Sequence, residues 1–143
     1  MSSQSSGRPS PPITISTLDM ARLESLLDAP GVNQQPAALA LVDELNRAEV
    51  LPPEQMPNNI VTMRSRVECM DTLTGESHIL TLVYPNEADA DQGKISVLAP
   101  VGCALLGLTI GQTIDWNAPG GRKLRLRVDA IRYQPEAAGD LLL

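Results

Sequence analysis

The chain has 143 residues, 43% of them hydrophobic, and a formal net charge of −6. That length suits one ordinary domain, or a small domain with an appendage, and the acidic balance argues against a protein that coats nucleic-acid phosphates. With Tyr84, Trp116 and Tyr133 as its three aromatics and no Phe, the chain lacks the platforms used to stack bases, so Leu, Ile, Val and Met must build the core.

Residues 1–12, polar and rich in Ser and Pro, read as a disordered lead without the apolar stretch of a signal peptide. Ser16 or Thr17 offers a helix N-cap, and Met20, Leu23, Leu26 and Leu27 follow at helical spacing. Pro30 and Gly31 stop that helix near Asp28. A second helix is expected from Pro36, with the stripe Ala38, Leu41, Val42, Leu45 and Ala48 and an Asp43–Arg47 pair one turn apart. Pro52 and Pro53 end it. Residues 13–51 thus predict an antiparallel helical hairpin, a short coiled coil with arms of about 12 to 15 residues, or roughly 18 to 22 Å. Residues 52–59 form the linker.

From Ile60 the apolar period changes to two: Val61, Met63, Val67 and Cys69 alternate with Thr62, Arg64, Arg66 and Glu68, which predicts a half-buried strand. Asp71 to Glu76 carries Gly75 and predicts a hairpin turn. The second strand spans Ile79 to Tyr84, and Asn86 to Gly93 forms an acidic exposed loop. A β-type run (Ile95, Val97, Ala99) leads into Pro100. A compact helical segment, Val101 to Leu108, follows, then a run from Thr113 to Trp116, a turn at Asn117 to Gly121 and a last strand from Lys123 to Tyr133. Two helices followed by an antiparallel sheet of about five strands is an α+β arrangement. The sheet domain is expected over 60–136, with a tail at 137–143.

Few constellations offer chemistry. His78 stands beside Ser77 and Glu76, but adjacent strand residues point to opposite faces and no nucleophile elbow is present; a surface histidine is the simpler reading. The loop acids Glu87, Asp89 and Asp91 lack the glycine and bidentate glutamate of a calcium loop, so a solvated loop is expected. Cys69 and Cys103 lack metal or redox spacing and read as small buried hydrophobes in a reducing compartment. Gly102 and Gly107 match no phosphate-binding pattern. Lys123, Arg125 and Arg127 share one face of the last strand, either as a solvated outer face or as a patch steering toward an acidic protein. No catalytic residue, metal or cofactor is expected.

Ile95, Ser96, Pro100, Ala104, Leu105, Gly107 and Gly111 together resemble the C-terminal domain of the Gre-type bacterial transcript cleavage factors, with Ala99 where that family usually carries serine. Three further strings, 53–63 (PEQMPNNIVTM), 81–85 (TLVYP) and 133–140 (YQPEAAGD), extend the resemblance to a Gre-related branch of polymerase-binding regulators. The resemblance implies an FKBP-like α+β domain that docks on RNA polymerase at the mouth of its secondary channel, and an indirect influence on nucleoside diphosphate kinase levels.

In the cleavage factors a long coiled coil carries a pair of acids that help hold a second Mg²⁺. Here the arms are short and the tip offers Asp28 alone. The expectation is therefore a non-enzymatic, monomeric, cytoplasmic regulator that competes with Gre-type factors, without direct nucleic-acid or membrane binding. Ala99, Pro100, Val101 and Leu105 are the expected docking contacts, and Asp28 and Asn33 the expected tip contacts. The alternative is a cleavage or elongation factor acting on backtracked polymerase. A prolyl isomerase or small-molecule module would instead need a deep pocket near Trp116.

Overall fold

The computed structural model describes residues 12–117 and 121–140, with the side chains of residues 116 and 117 outside that description. The expected disordered lead, apart from residue 12, and the centre of the turn at 117–121 lie outside the described residues.

Strand β1 (Thr14–Ser16) runs straight into helix α1 (Thr17–Leu27). The buried Ser16 hydroxyl accepts a hydrogen bond from the Asp19 amide at 3.0 Å, which satisfies one of the free donors at the helix start. Asp28 closes the helix. Helix α2 (Pro36–Arg47) begins on its proline, whose fixed φ suits a first helical position. Leu23 and Leu27 of α1 and Ala38, Leu41 and Leu45 of α2 are buried; removing each leucine from water contributes about 1.5–3 kcal/mol. Val42 remains 37% exposed, because it lies at the edge of the stripe.

After α2, strand β2 (Glu49–Leu51) pairs in parallel with β1. This two-stranded clip holds together the two ends of the helix pair. It is absent from the sequence expectations, because three-residue strands are too short to announce themselves by period.

The main sheet contains β3 (Arg66–Asp71), β4 (Ser77–Val83), β5 (Lys94–Ser96), β6 (Thr113–Asn117) and β7 (Lys123–Tyr133), in the order β5-β4-β3-β7-β6. Two expectations need correction. The strand expected from Ile60 begins only at Arg66, because Arg64 adopts a left-handed backbone with φ +67°. Residues 60–65 instead pack irregularly: Thr62 N donates to Ser65 Oγ at 2.9 Å, and Val61 N donates to Leu108 O at 2.8 Å. The alternation is deceptive there, since Thr62 and Ser65 are buried along with Val61 and Met63. The sheet is also mixed rather than antiparallel, as β5 runs parallel to β4. The 84–93 loop carries the chain back along β4, and Gly93 turns it at φ +73°, where a Cβ would stand 2.6 Å from Ile79 O.

The hairpin turn between β3 and β4 forms as expected, with Gly75 at φ +83°. Asp71 organises it, accepting from Leu73 N at 3.1 Å and Thr74 Oγ1 at 2.7 Å. Helix α3 (Pro100–Leu105) lies beside β5 and β6 and is shorter than the expected 101–108. Helix α4 (Pro135–Ala138) follows β7 across the expected boundary between sheet domain and tail. Before it, the buried Gln134 donates through Nε2 to Pro57 O and Ile60 O, each at 2.8 Å. One hydrophobic cluster includes Leu23 and Leu41 of the helices, Val67, Leu82 and Leu126 of the sheet, and Leu105 of α3.

Candidate functional site

The expected docking loop resolves into an inner and an outer face. Gly102 lies so close to Ser96 O that no side chain fits there, and this contact presses α3 onto β5. The i,i+4 pair Val101 and Leu105 then points inward, 4% and 0% exposed. Pro100 and Ala104 are exposed and Ala99 is half-buried. The loop thus leaves Pro100 and Ala104 exposed, while Val101 and Leu105, expected as outward contacts, are buried beneath them.

Those exposed residues border a groove of about 660 Å³ between α3 and α2, lined by Pro100, Cys103, Ala104, Pro36, Ala40 and Ile114. Glu44 supplies a polar wall and is paired with Arg47 at 3.1 Å. Burial, with the Glu44 charge nearby, raises the Cys103 thiol above its ordinary value, so it stays protonated and inert. Elsewhere on α2, Leu39 is 64% exposed. A mostly apolar groove of this kind suits protein contact.

The tip of the helix pair is separate from this groove. Asp28 and Asn33 are both exposed in the 28–35 turn. Glu24, one helical turn before Asp28, is exposed too. No group of three or more His, Cys, Asp or Glu able to hold a metal occurs among the described residues.

Sequence reasoning missed a polar cluster where α1 meets the sheet. Arg64 donates to Glu87 through Nε at 3.2 Å and Nη2 at 2.8 Å, and its guanidinium lies 5.2 Å from the centre of the Tyr84 ring. The hydrogen bond from Arg64 holds Glu87 below its ordinary value, against the opposing effect of burial. Burial pushes the Tyr84 hydroxyl well above its usual range, with Asp19 adding to the effect. Asp19, only 4% exposed, accepts from Met63 N at 3.2 Å. Burial first, and the Glu136 charge second, push its carboxyl up to about 6. The odd backbone of Arg64 is the signal of this cluster, and no sequence pattern reports it.

Arg125 and Arg127 of the expected stripe are paired with acids, as are Arg122 just before β7 and Arg132 near its end. Arg125 pairs with Asp115 at 3.0 Å, Arg127 with Asp129 at 2.6 Å, Arg132 with Glu68 at 2.9 Å and Arg122 with Glu76 at 3.4 Å. Such exposed pairs contribute about 0–1 kcal/mol each, and they offset the charge of Arg125 and Arg127. His78 is half-buried on β4 opposite Cys69. Burial, with Asp129 and Glu68 nearby, pushes the Cys69 thiol up to about 11. The Trp116 side chain lies outside the described residues. No described helix is long and apolar enough to cross a membrane.

A family model described as "Rnk N-terminus" matches residues 11–51, and one described as "Transcription elongation factor, GreA/GreB, C-term" matches residues 56–133. The "Regulator of nucleoside diphosphate kinase" of Escherichia coli (strain K12) is 47% identical over 93% of this chain and 98% of its own length. A "Transcription elongation factor GreA" from Sinorhizobium medicae is 39% identical over 58% of this chain, which spans about half of that relative, 52%. A solved structure, "Prokaryotic transcription elongation factor GreA/GreB from Nitrosomonas europaea", superposes with a TM-score of 0.77 at 47% identity, covering 87% of this chain and 100% of that one. With matches running through both the helix pair and the sheet, the chain belongs to the regulator of nucleoside diphosphate kinase family, related to the GreA/GreB transcription elongation factors.

Proposed function

We propose that the protein is a non-enzymatic RNA polymerase-binding regulator that docks at the secondary-channel entrance. There it competes with Gre-type factors and indirectly influences nucleoside diphosphate kinase levels. The observation that carries this reading is the pairing of a GreA/GreB-type C-terminal half with arms of only 11 and 12 residues, about 16 to 18 Å at 1.5 Å per residue. Such arms occupy an entrance and do not reach a deep active centre. At the turn itself only one carboxylate, Asp28, is available, where a second Mg²⁺ needs a pair.

In finer terms, the helix pair acts as a short coiled coil over 13–51, and 60–136 acts as an FKBP-like docking domain after the 52–59 linker. Pro100, with Ala99 at its border and Val101 and Leu105 supporting it from beneath, makes the main contact with polymerase. Asp28 and Asn33 touch the channel rim. The protein works as a cytoplasmic monomer without a cofactor, and occupancy of the shared site excludes longer factors by mass action.

The test is binding to core polymerase by a Pro100→Asp, Ala104→Asp double variant, both positions being exposed. Affinity at least tenfold weaker, with unchanged melting, is expected. Unchanged affinity in a folded double variant would remove the docking assignment.

A further inference from the structure

The buried Asp19 carboxyl has no part in docking, yet it sits where α1 meets the sheet. Its Oδ2 accepts from Met63 N at 3.2 Å, a bond that spans 44 positions of sequence. Met63 precedes the left-handed Arg64, whose amide is bonded to Leu82 O in β4. The acid is therefore fastened through two residues to β4, an inner strand of the sheet.

Every element around it presents a charged or titratable group. Arg22 comes from α1, Arg64 from the segment before β3, Tyr84 from the end of β4, and Glu136 from α4, with Asp140 just beyond. Glu136 is held in place by the Thr62 hydroxyl, which donates to its Oε1 at 2.8 Å. The space between Asp19, Arg22, Arg64, Glu136 and Asp140 amounts to about 10 Å³, room for about one water. A carboxylate there is poorly hydrated and faces a second carboxylate across a small gap.

We propose that Asp19 is a proton-operated joint, which clamps the helix pair to the sheet when protonated and loosens α1 when ionised. The sign follows from where each state holds its proton. Free of the junction, the carboxyl titrates at its ordinary 3.8; clamped, it titrates at about 6. The clamped form thus holds the proton more tightly, and clamping strengthens as pH falls through 6 and weakens as it rises. The rise comes from burial first and the Glu136 charge second; the Met63 N–H bond, then Arg22 and Arg64, oppose it without cancelling it.

The test follows the Asp19 side-chain carboxyl and the Met63 amide by NMR from pH 4 to 8 in the full chain. Both signals are expected to share one midpoint near 6. Glu136→Gln should move it downward, and Asp19→Asn should abolish the Met63 titration. Amide exchange of α1, corrected for intrinsic rate, should show roughly tenfold more frequent opening at pH 7.5 than at pH 5, because the opening factor grows with pH between the open-form and clamped-form titrations and levels off above about 6. An Asp19 midpoint near 4 in the unaltered protein would overturn the proposal. So would α1 opening whose pH dependence survives Asp19→Asn. If Asp19→Asn fails to fold, the carboxyl midpoint of the unaltered protein decides alone.

Discussion

Single residues set the shape of this molecule where backbone passes against backbone. Gly102 lets α3 lie against Ser96 O, so Gly102→Ala must push α3 away from β5. A cost of about 1–3 kcal/mol is expected, as for overpacking elsewhere, and thermal unfolding measures it as a melting temperature lower by several degrees. Gly111→Ala is the contrasting control, because a Cβ there meets nothing and only its φ of +99° is strained. Docking should weaken in Gly102→Ala as well, because the same contact presents Pro100. Arg64 is the other decisive residue, a non-glycine at φ +67°. Its left-handed backbone is held by the Glu87 pair and the Tyr84 ring, so Glu87→Ala should destabilise the fold by about 1–2 kcal/mol, read from urea unfolding.

Among the elements, the helix pair is the most legible in sequence and the first segment of the sheet the least. Ser16 as cap, Pro36 as helix start and Gly75 in the turn act through bonds to near neighbours, so their types alone disclose them. Ser16→Ala should cost about 1 kcal/mol of stability through loss of the α1 cap, measured by urea unfolding. The parallel β5, the β1–β2 clip and the Gln134 bonds to Pro57 and Ile60 join distant residues, and local periodicity carries no trace of them. Residues 60–65 mislead because buried hydroxyls of Thr62 and Ser65 imitate the polar positions of a strand. Helix α3 lies between these cases. Its existence is readable from Pro100 and the apolar run, but its facing is not, although positions 101 and 105 share one side by helical phase. Only contact with β5 makes that side the inner one.

At the scale of the whole molecule, pH should act in two opposed windows. The raised Asp19 carboxyl makes the folded protein more stable as pH falls from 7 to about 5, by about 1.3 kcal/mol out of the roughly 3 kcal/mol that a carboxyl displaced from 3.8 to about 6 contributes once pH lies below both values. Glu87 and Asp71 are held below their ordinary values, Glu87 by the Arg64 bond and Asp71 by hydrogen bonds that outweigh its burial. Their stabilisation is present above pH 4 to 5 and is lost as they protonate below it. Urea unfolding across pH is therefore expected to give a maximum near pH 5, and Asp19→Asn should flatten its neutral side. Family membership is legible at this scale for a related reason. The strings around Pro57, Tyr84 and Pro135 sit where long-range packing pins the chain, at the junction and the start of α4.

The most direct measurement is competition for core RNA polymerase between this protein and a Gre-type factor, with a backtracked complex used to follow transcript cleavage. The protein should displace the Gre-type factor in a saturable, one-for-one manner and suppress cleavage as it does so, while producing no shortened transcript itself. Simultaneous binding of both proteins, or transcript shortening by this protein alone, would contradict the reading of a short-armed occupant of the channel entrance.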